Sequence, residues 1–204
     1  MIKTFRLLDI RPTQFTLGMI EVQEKVEKMQ KMDSKQREKY LEDRPVPCIR
    51  GPNNVLYSID RHHLTRACWE MGIKEIFVFL VADLSHLETE EFWEVMKKAK
   101  WVFLMDQFGN GPHPEAFLPS DIKGLADNPY RSLSWMVREA KGYEKENIPF
   151  IEFYWADLFR KNIPFEFTPE GYKKAKDEAL AYIKKNNLKS KDLFKKTSRD
   201  RKSS

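Results

Sequence analysis

The stretch Val55-Leu56-Tyr57-Ser58-Ile59-Asp60-Arg61-His62-His63-Leu64-Thr65-Arg66-Ala67 decides the fold of this chain. Residues 55–59 read as a strand, and the run 61–71 reads as a helix closed by Gly72. Upstream, residues 46–50 read as a second strand. Gly51-Pro52-Asn53-Asn54 joins the two as a hairpin turn, because Gly and Asn tolerate positive φ and Pro presets its own. A strand therefore gives way to a helix within two residues of Asp60. The first turn of a helix carries unpaired N–H groups and a partial positive charge, and phosphate binds there readily. His62 and His63 fall in that turn. Arg66 follows His62 by four residues and shares its face.

Asp60 has two readings. It is a cap or turn residue that satisfies helix N–H groups, or it orients an imidazole or accepts a proton from a hydroxyl. The histidines have a capping or packing reading beside the catalytic one. Adjacent helical residues diverge by about 100°, so one imidazole is expected to face a pocket and the pair is not expected to grip one metal. No metal-ligand set is legible. Arg11 and Gln14, in Asp9-Ile10-Arg11-Pro12-Thr13-Gln14 at the end of the first strand, are candidates for the opposite wall of that pocket. Glu21 joins them, although acids such as Glu21 and Glu24 at a helix start are commonly structural.

The rest of the chain fits an α+β fold. Residues 5–10 read as the first strand and 75–83, with Ile76-Phe77-Val78-Phe79-Leu80-Val81 inside, as a central strand apolar on both faces. Helices are expected over 19–32 and 34–43. Ser85 and Glu88 are spaced for a capping box ahead of a helix over 89–100. A short strand is expected over 101–105 and a Gly- and Pro-rich loop over 106–119. The remainder reads as helical over 130–140, 150–161 and from Thr168-Pro169-Glu170 to about 187. This gives a small mixed sheet with packed helices over 1–100, a helical extension packed on that core over 101–187, and a disordered basic tail over 188–204.

Composition sets the bounds. The chain has 204 residues, 41% hydrophobic and 33% charged, which suits a globular protein with a wet surface. No apolar run reaches the roughly 18 residues of a membrane span, and Met1-Ile2-Lys3-Thr4-Phe5-Arg6 lacks the pattern of a secretory signal, so the cytoplasm is the expected compartment. Cys48 and Cys68 sit in apolar patterns and read as buried free thiols. The net charge of +5 is uneven: from Lys184 onward nine Lys/Arg face two Asp, a net of +7, which leaves −2 for the rest. Such an end either holds nucleic acid nonspecifically or is a solvated terminus. No P-loop, dinucleotide fingerprint, nucleophile elbow or His-Glu-x-x-His pattern occurs.

The order of strand, Pro12-Thr13-Gln14, helix, hairpin and Asp60-Arg61-His62-His63 at a helix start resembles the ParB/sulfiredoxin superfamily, and within it the ParB-like nuclease family. Arg44-Pro45-Val46-Pro47, Asn128-Pro129-Tyr130-Arg131-Ser132-Leu133 and Trp155-Ala156-Asp157 carry the same resemblance, over roughly residues 5–165. The superfamily binds nucleotide phosphates at this helix start: adenine nucleotide in sulfiredoxins, CTP in ParB proteins, ADP in the free serine kinases. By resemblance to the kinases' Asp-Gly-His-His-Arg, Asp60, His62 and His63 match the catalytic acid and paired histidines, and Arg61, His62, His63 and Arg66 become the phosphate-binding set. Arg61 stands where the kinases have Gly, and Leu64 where they have Arg. The catalytic Cys of sulfiredoxin has no counterpart, since Cys68 lies about two turns into the helix. The resemblance implies a nucleotide ligand, with Mg²⁺ as its candidate companion, and phosphoryl or phosphodiester chemistry. The alternatives are a non-catalytic DNA-associated module and a small-molecule kinase.

Overall fold

A computed structural model of the protein describes residues 2–144 and 146–193. It falls into two compact units, Met1–Asp127 and Asn128–Ser204. The division comes later than residue 100, because the 3-10 turn Ile122–Gly124 and its neighbours complete the core of the first unit.

The first unit is built on a five-stranded mixed sheet of β1 (Ile2–Arg6), β2 (Ile10–Pro12), β4 (Val46–Arg50), β5 (Leu56–Ser58) and β6 (Glu75–Asp83), in the order β1-β6-β4-β5-β2. Residues 5–10 are therefore not one strand. A 3-10 turn at Leu7–Asp9 splits them, and the two pieces form opposite edges of the sheet. Leu7 causes the break: its side chain is buried and its N–H donates to the Lys74 carbonyl at 2.8 Å. The consequence is curvature. Four flat strand spacings of about 4.8 Å would set the edges about 19 Å apart, whereas four residues of chain reach at most about 14 Å. The sheet must curl.

β6 runs between β1, antiparallel, and β4, parallel. The reading of a strand apolar on both faces needs correction at one end: Leu80 and Val81 are 38% and 42% exposed. β1 pairs only as far as Phe79, and a register shift opposite Cys48/Ile49 turns the end of β6 outward. The hairpin of β4 and β5 turns through a 3-10 segment, Pro52–Asn54, in which Asn53 (φ 56°) and Asn54 (φ 60°) take the left-handed region. Two further helices of this unit are α1 (Met19–Gln30) and α2 (Ser34–Glu42), the latter opened by a capping box between Asp33 and Gln36. Next comes α3 (His62–Glu70), whose end is a Schellman closure: Gly72, at φ 71°, donates to the Trp69 carbonyl and Ile73 to that of Cys68. A short parallel pair, β3 (Thr16–Leu17) and β7 (Ala126–Asp127), completes the unit.

Strand alternation sorts the packing onto two faces. Val46, Cys48 and Leu56 bury against Leu64, Ala67 and Cys68 of α3 and Val22 of α1. Ile49 and Tyr57 bury against Phe92 and Met96 of α4 (Thr89–Lys98). Both cysteines are free and buried, and burial pushes each thiol up to about 12. Two local expectations fail. Ser85 does not cap α4; its N–H and hydroxyl go to the Asp83 carboxylate, while Glu88 occupies the cap position without a side-chain bond. Residues 101–105 form no strand but a single bridge, Gln14 to Phe103.

The second unit holds α5 (Pro129–Glu139), α6 (Ile151–Asn162) and α7 (Pro169–Asn186) around Leu133, Trp155, Phe159 and Ala179. The fold continues beyond residue 187. Ser190 is buried and accepts from Trp155 Nε1 at 3.1 Å, and Leu193 joins the core. The tail expected over 188–204 is thus ordered through 193; residues 194–204 lie outside the described residues. Among the described residues no helix is long and apolar enough to cross a membrane.

Candidate functional site

The junction between β5 and α3 is formed by one left-handed residue. Arg61 has φ 63° and ψ 24°, directly ahead of the helix, and its carbonyl accepts from both the N–H (2.9 Å) and the hydroxyl (3.1 Å) of Thr65. Asp60 is exposed and accepts from the Arg61 N–H at 2.6 Å. It binds the cap residue itself, not the second or third helical N–H that a standard N-cap would serve.

The two histidines diverge as expected, and each ring is engaged with the main chain. His62 is 5% exposed, and its Nε2 accepts from the Thr13 N–H at 3.3 Å. The Ser58 backbone lies against the same ring, and its carbonyl accepts from the Thr13 hydroxyl at 2.8 Å. Burial pulls the imidazole down to about 4, against the opposing pull of Asp60 and the Ser58 bond, so His62 is neutral near pH 7. His63 Nε2 accepts from the Gly18 N–H at 3.1 Å, with the Glu21 carboxylate 3.5 Å away. Glu21 is itself buried and reaches Lys25 Nζ at 3.3 Å. The pair therefore fastens both ends of the segment 13–18, which leads from β2 into α1, to the start of α3.

The other candidates separate. Arg66 does not face the junction. Its Nε donates to Glu70 at 2.8 Å, its Nη1 lies 3.2–3.5 Å from the carbonyls of Ile122, Lys123 and Leu125, and its guanidinium stacks over Trp69. It closes the 3-10 turn Ile122–Gly124. Gln14 is buried and turns back to the Thr16 carbonyl at 2.7 Å. Arg11 pairs in register with Tyr57 and lines the cleft on the α4 face with it, so it is not the opposite wall of the junction. Sequence reasoning missed Asp127, which accepts from the Met19 N–H at 3.0 Å where Gly18 offers α1 no side-chain cap. A partner 108 positions away leaves no local signal.

In the second unit, motif residues converge. Asn128 caps α5 through the Arg131 N–H at 3.0 Å and accepts from Arg160 Nη2 at 3.1 Å. Arg160 also pairs with Asp157 and lies over the Tyr130 ring. The Asn-Pro-Tyr-Arg and Trp-Ala-Asp stretches, far apart in sequence, thus meet through one guanidinium.

A curled mixed sheet with a helix launched from its hairpin at an Asp-Arg-His-His junction defines an α+β protein of the ParB-like type. The chain belongs to the family described as "Putative ParB-like nuclease", whose model matches residues 3–161. It is similar to protein Atu1540 from Agrobacterium tumefaciens, a crystal structure, with 32% identity over 90% of this chain and 92% of that one and a TM-score of 0.81. No curated protein matches the chain.

Proposed function

We propose that the protein recognises a phosphate-bearing ligand, a nucleotide or a nucleic-acid phosphate, at the start of α3, and carries out phosphoryl or phosphodiester chemistry there through Asp60. The observation that carries this reading is the conformation of Arg61. The left-handed Arg61 leads the chain into α3 so that the helix start meets the junction, where the Asp60 carboxylate already accepts from the Arg61 N–H and a phosphate would join or displace it. The positive end of α3 favours an anion there. Arg61 is partly exposed and replaces Arg66 as the cation of the site. His62 and His63 act by holding the segment 13–18 in place, and Asp60 is the exposed carboxylate beside the helix start.

The test is calorimetry with ATP, ADP, CTP and a short oligonucleotide, with and without Mg²⁺, joined to assays of phosphate release and strand cleavage. Arg61→Ala should weaken binding by roughly 1.5–3 kcal/mol, the scale of a hydrogen bond to a charged group. Asp60→Asn should retain binding and lose turnover. Failure of the unmodified protein to bind any of these ligands would sink the reading. A second reading, a non-catalytic DNA-associated module, draws support from the Nε2 atoms of both imidazoles, each already accepting a main-chain N–H. Under it Asp60→Asn changes nothing and oligonucleotide binding alone is seen. The basic C-terminal run would add nonspecific affinity that falls steeply with salt. A cytoplasmic location is part of the same proposal.

A further inference from the structure

On the α4 face of the sheet, away from the α3 junction, lies a cleft of about 630 Å³. That volume is in the range of small-molecule sites. Its aromatic wall is fixed. Tyr57, Phe92 and Trp93 pack in a tilted and edge-to-face cluster with centroids 4.9–5.3 Å apart. Gly51 allows that closeness, since a Cβ there would stand 2.8 Å from the Phe92 and Tyr57 rings. Trp93 is only partly buried, and Pro52 and Pro119 add flat apolar surface.

The polar groups are few. Arg11 reaches the cleft from β2, beside Tyr57 in the sheet register. Asn53, in its left-handed conformation, offers an amide, and Thr89 a hydroxyl. Glu115, the carboxylate of the lining, is paired with Lys97 Nζ at 3.1 Å. A multiply charged anion would call for more cations than Arg11. A purely apolar ligand would strip water from Arg11, Asn53 and Thr89 and give nothing back. What matches is a flat π-face with donors and acceptors along its edge, the chemistry of a nucleobase.

We infer that this cleft binds a nucleobase against Trp93, with Arg11 and Asn53 reading its polar edge. The base comes either from a free nucleoside or nucleotide or from a single strand of nucleic acid. The inference stands apart from the phosphate site, and nucleosides, which carry no phosphate, test it alone. The full chain is titrated by calorimetry with adenosine, guanosine, cytidine and thymidine, and by anisotropy with single-stranded oligonucleotides of each base. At least one nucleoside should bind, and Arg11→Gln and Trp93→Leu should each weaken it tenfold or more. Arg11 is exposed, so Arg11→Gln leaves the core intact even if Trp93→Leu does not fold. An oligonucleotide bound at least tenfold tighter than its nucleoside, with the same loss in the variants, assigns the base to a single strand; equal affinity assigns it to a free ligand. No binding of any probe up to millimolar concentration, or unchanged binding by Arg11→Gln, overturns the inference.

Discussion

The two faces of the sheet use their polar side chains in opposite ways. On the α3 face, His62, His63, Arg66 and Gln14 are turned onto the main chain, where they fasten the segment 13–18 and the turn Ile122–Gly124. On the α4 face, Arg11, Asn53 and Thr89 open onto a cleft walled by aromatic rings. Residues that look most reactive in the sequence are thus the most heavily committed to architecture. A buried imidazole is costly unless both nitrogens are satisfied, and main-chain groups of an irregular segment need such partners. One arrangement settles both needs.

That contrast can be broken at its strongest point first. His62→Ala removes a buried ring and orphans the Thr13 N–H, so urea denaturation should show a loss of about 3–5 kcal/mol. A loss under about 1 kcal/mol would mean that the ring is not structural.

Acid should act through the same group. The His62 imidazole is depressed to about 4 in the fold, against about 6.5 when exposed. The unfolded chain therefore takes up the proton first. The stabilisation is complete above about pH 6.5 and is lost as the pH falls toward 4, to a total of about 3 kcal/mol. Denaturation curves between pH 7 and 4 should show this slope, and His62→Ala should remove it.

Arg66→Ala sharpens the comparison at intermediate scale. Loss of the Glu70 pair and of the carbonyl contacts should cost about 1.5–3 kcal/mol of stability and leave nucleotide affinity untouched. A selective loss of affinity would return Arg66 to the phosphate site. The smallest effect is expected at Gly51→Ala on the open face. Its new methyl presses on Phe92 and Tyr57, and overpacking of this kind costs about 1–3 kcal/mol. Thermal unfolding would detect it, and no change would mean that the aromatic wall is loose.

Much of the fold was legible because its signals are local. The hairpin, the helix after Asp60, the Gly72 closure and the Thr168 cap each depend on a few adjacent residues, and each forms. The first strand was misread because Leu7 is held by Lys74, which lies far from it in sequence. The charge of the chain's end placed the start of the tail too early: Ser190 and Leu193 are buried by partners in the core of the second unit, and residues 194–204 lie outside the described residues. At the candidate site, the position of the junction could be read and the duties of its side chains could not. Nothing near Arg66 announces three carbonyls more than 50 residues away, and nothing near Met19 announces Asp127.

By itself, the sequence determined most of the helices, the β4–β5 hairpin, the α+β class, and the Asp60–Arg61 junction that places a helix start after a hairpin. These follow from backbone preference and apolar periodicity, which act over a few residues. Only the tertiary structure decided that β1 and β2 lie on opposite edges of a curled sheet, that the histidines serve Thr13 and Gly18, and that Arg11 faces the aromatic cleft. The reason is that a side chain's partner is set by which surfaces are brought together when the core is buried, and that information is distributed over the whole chain.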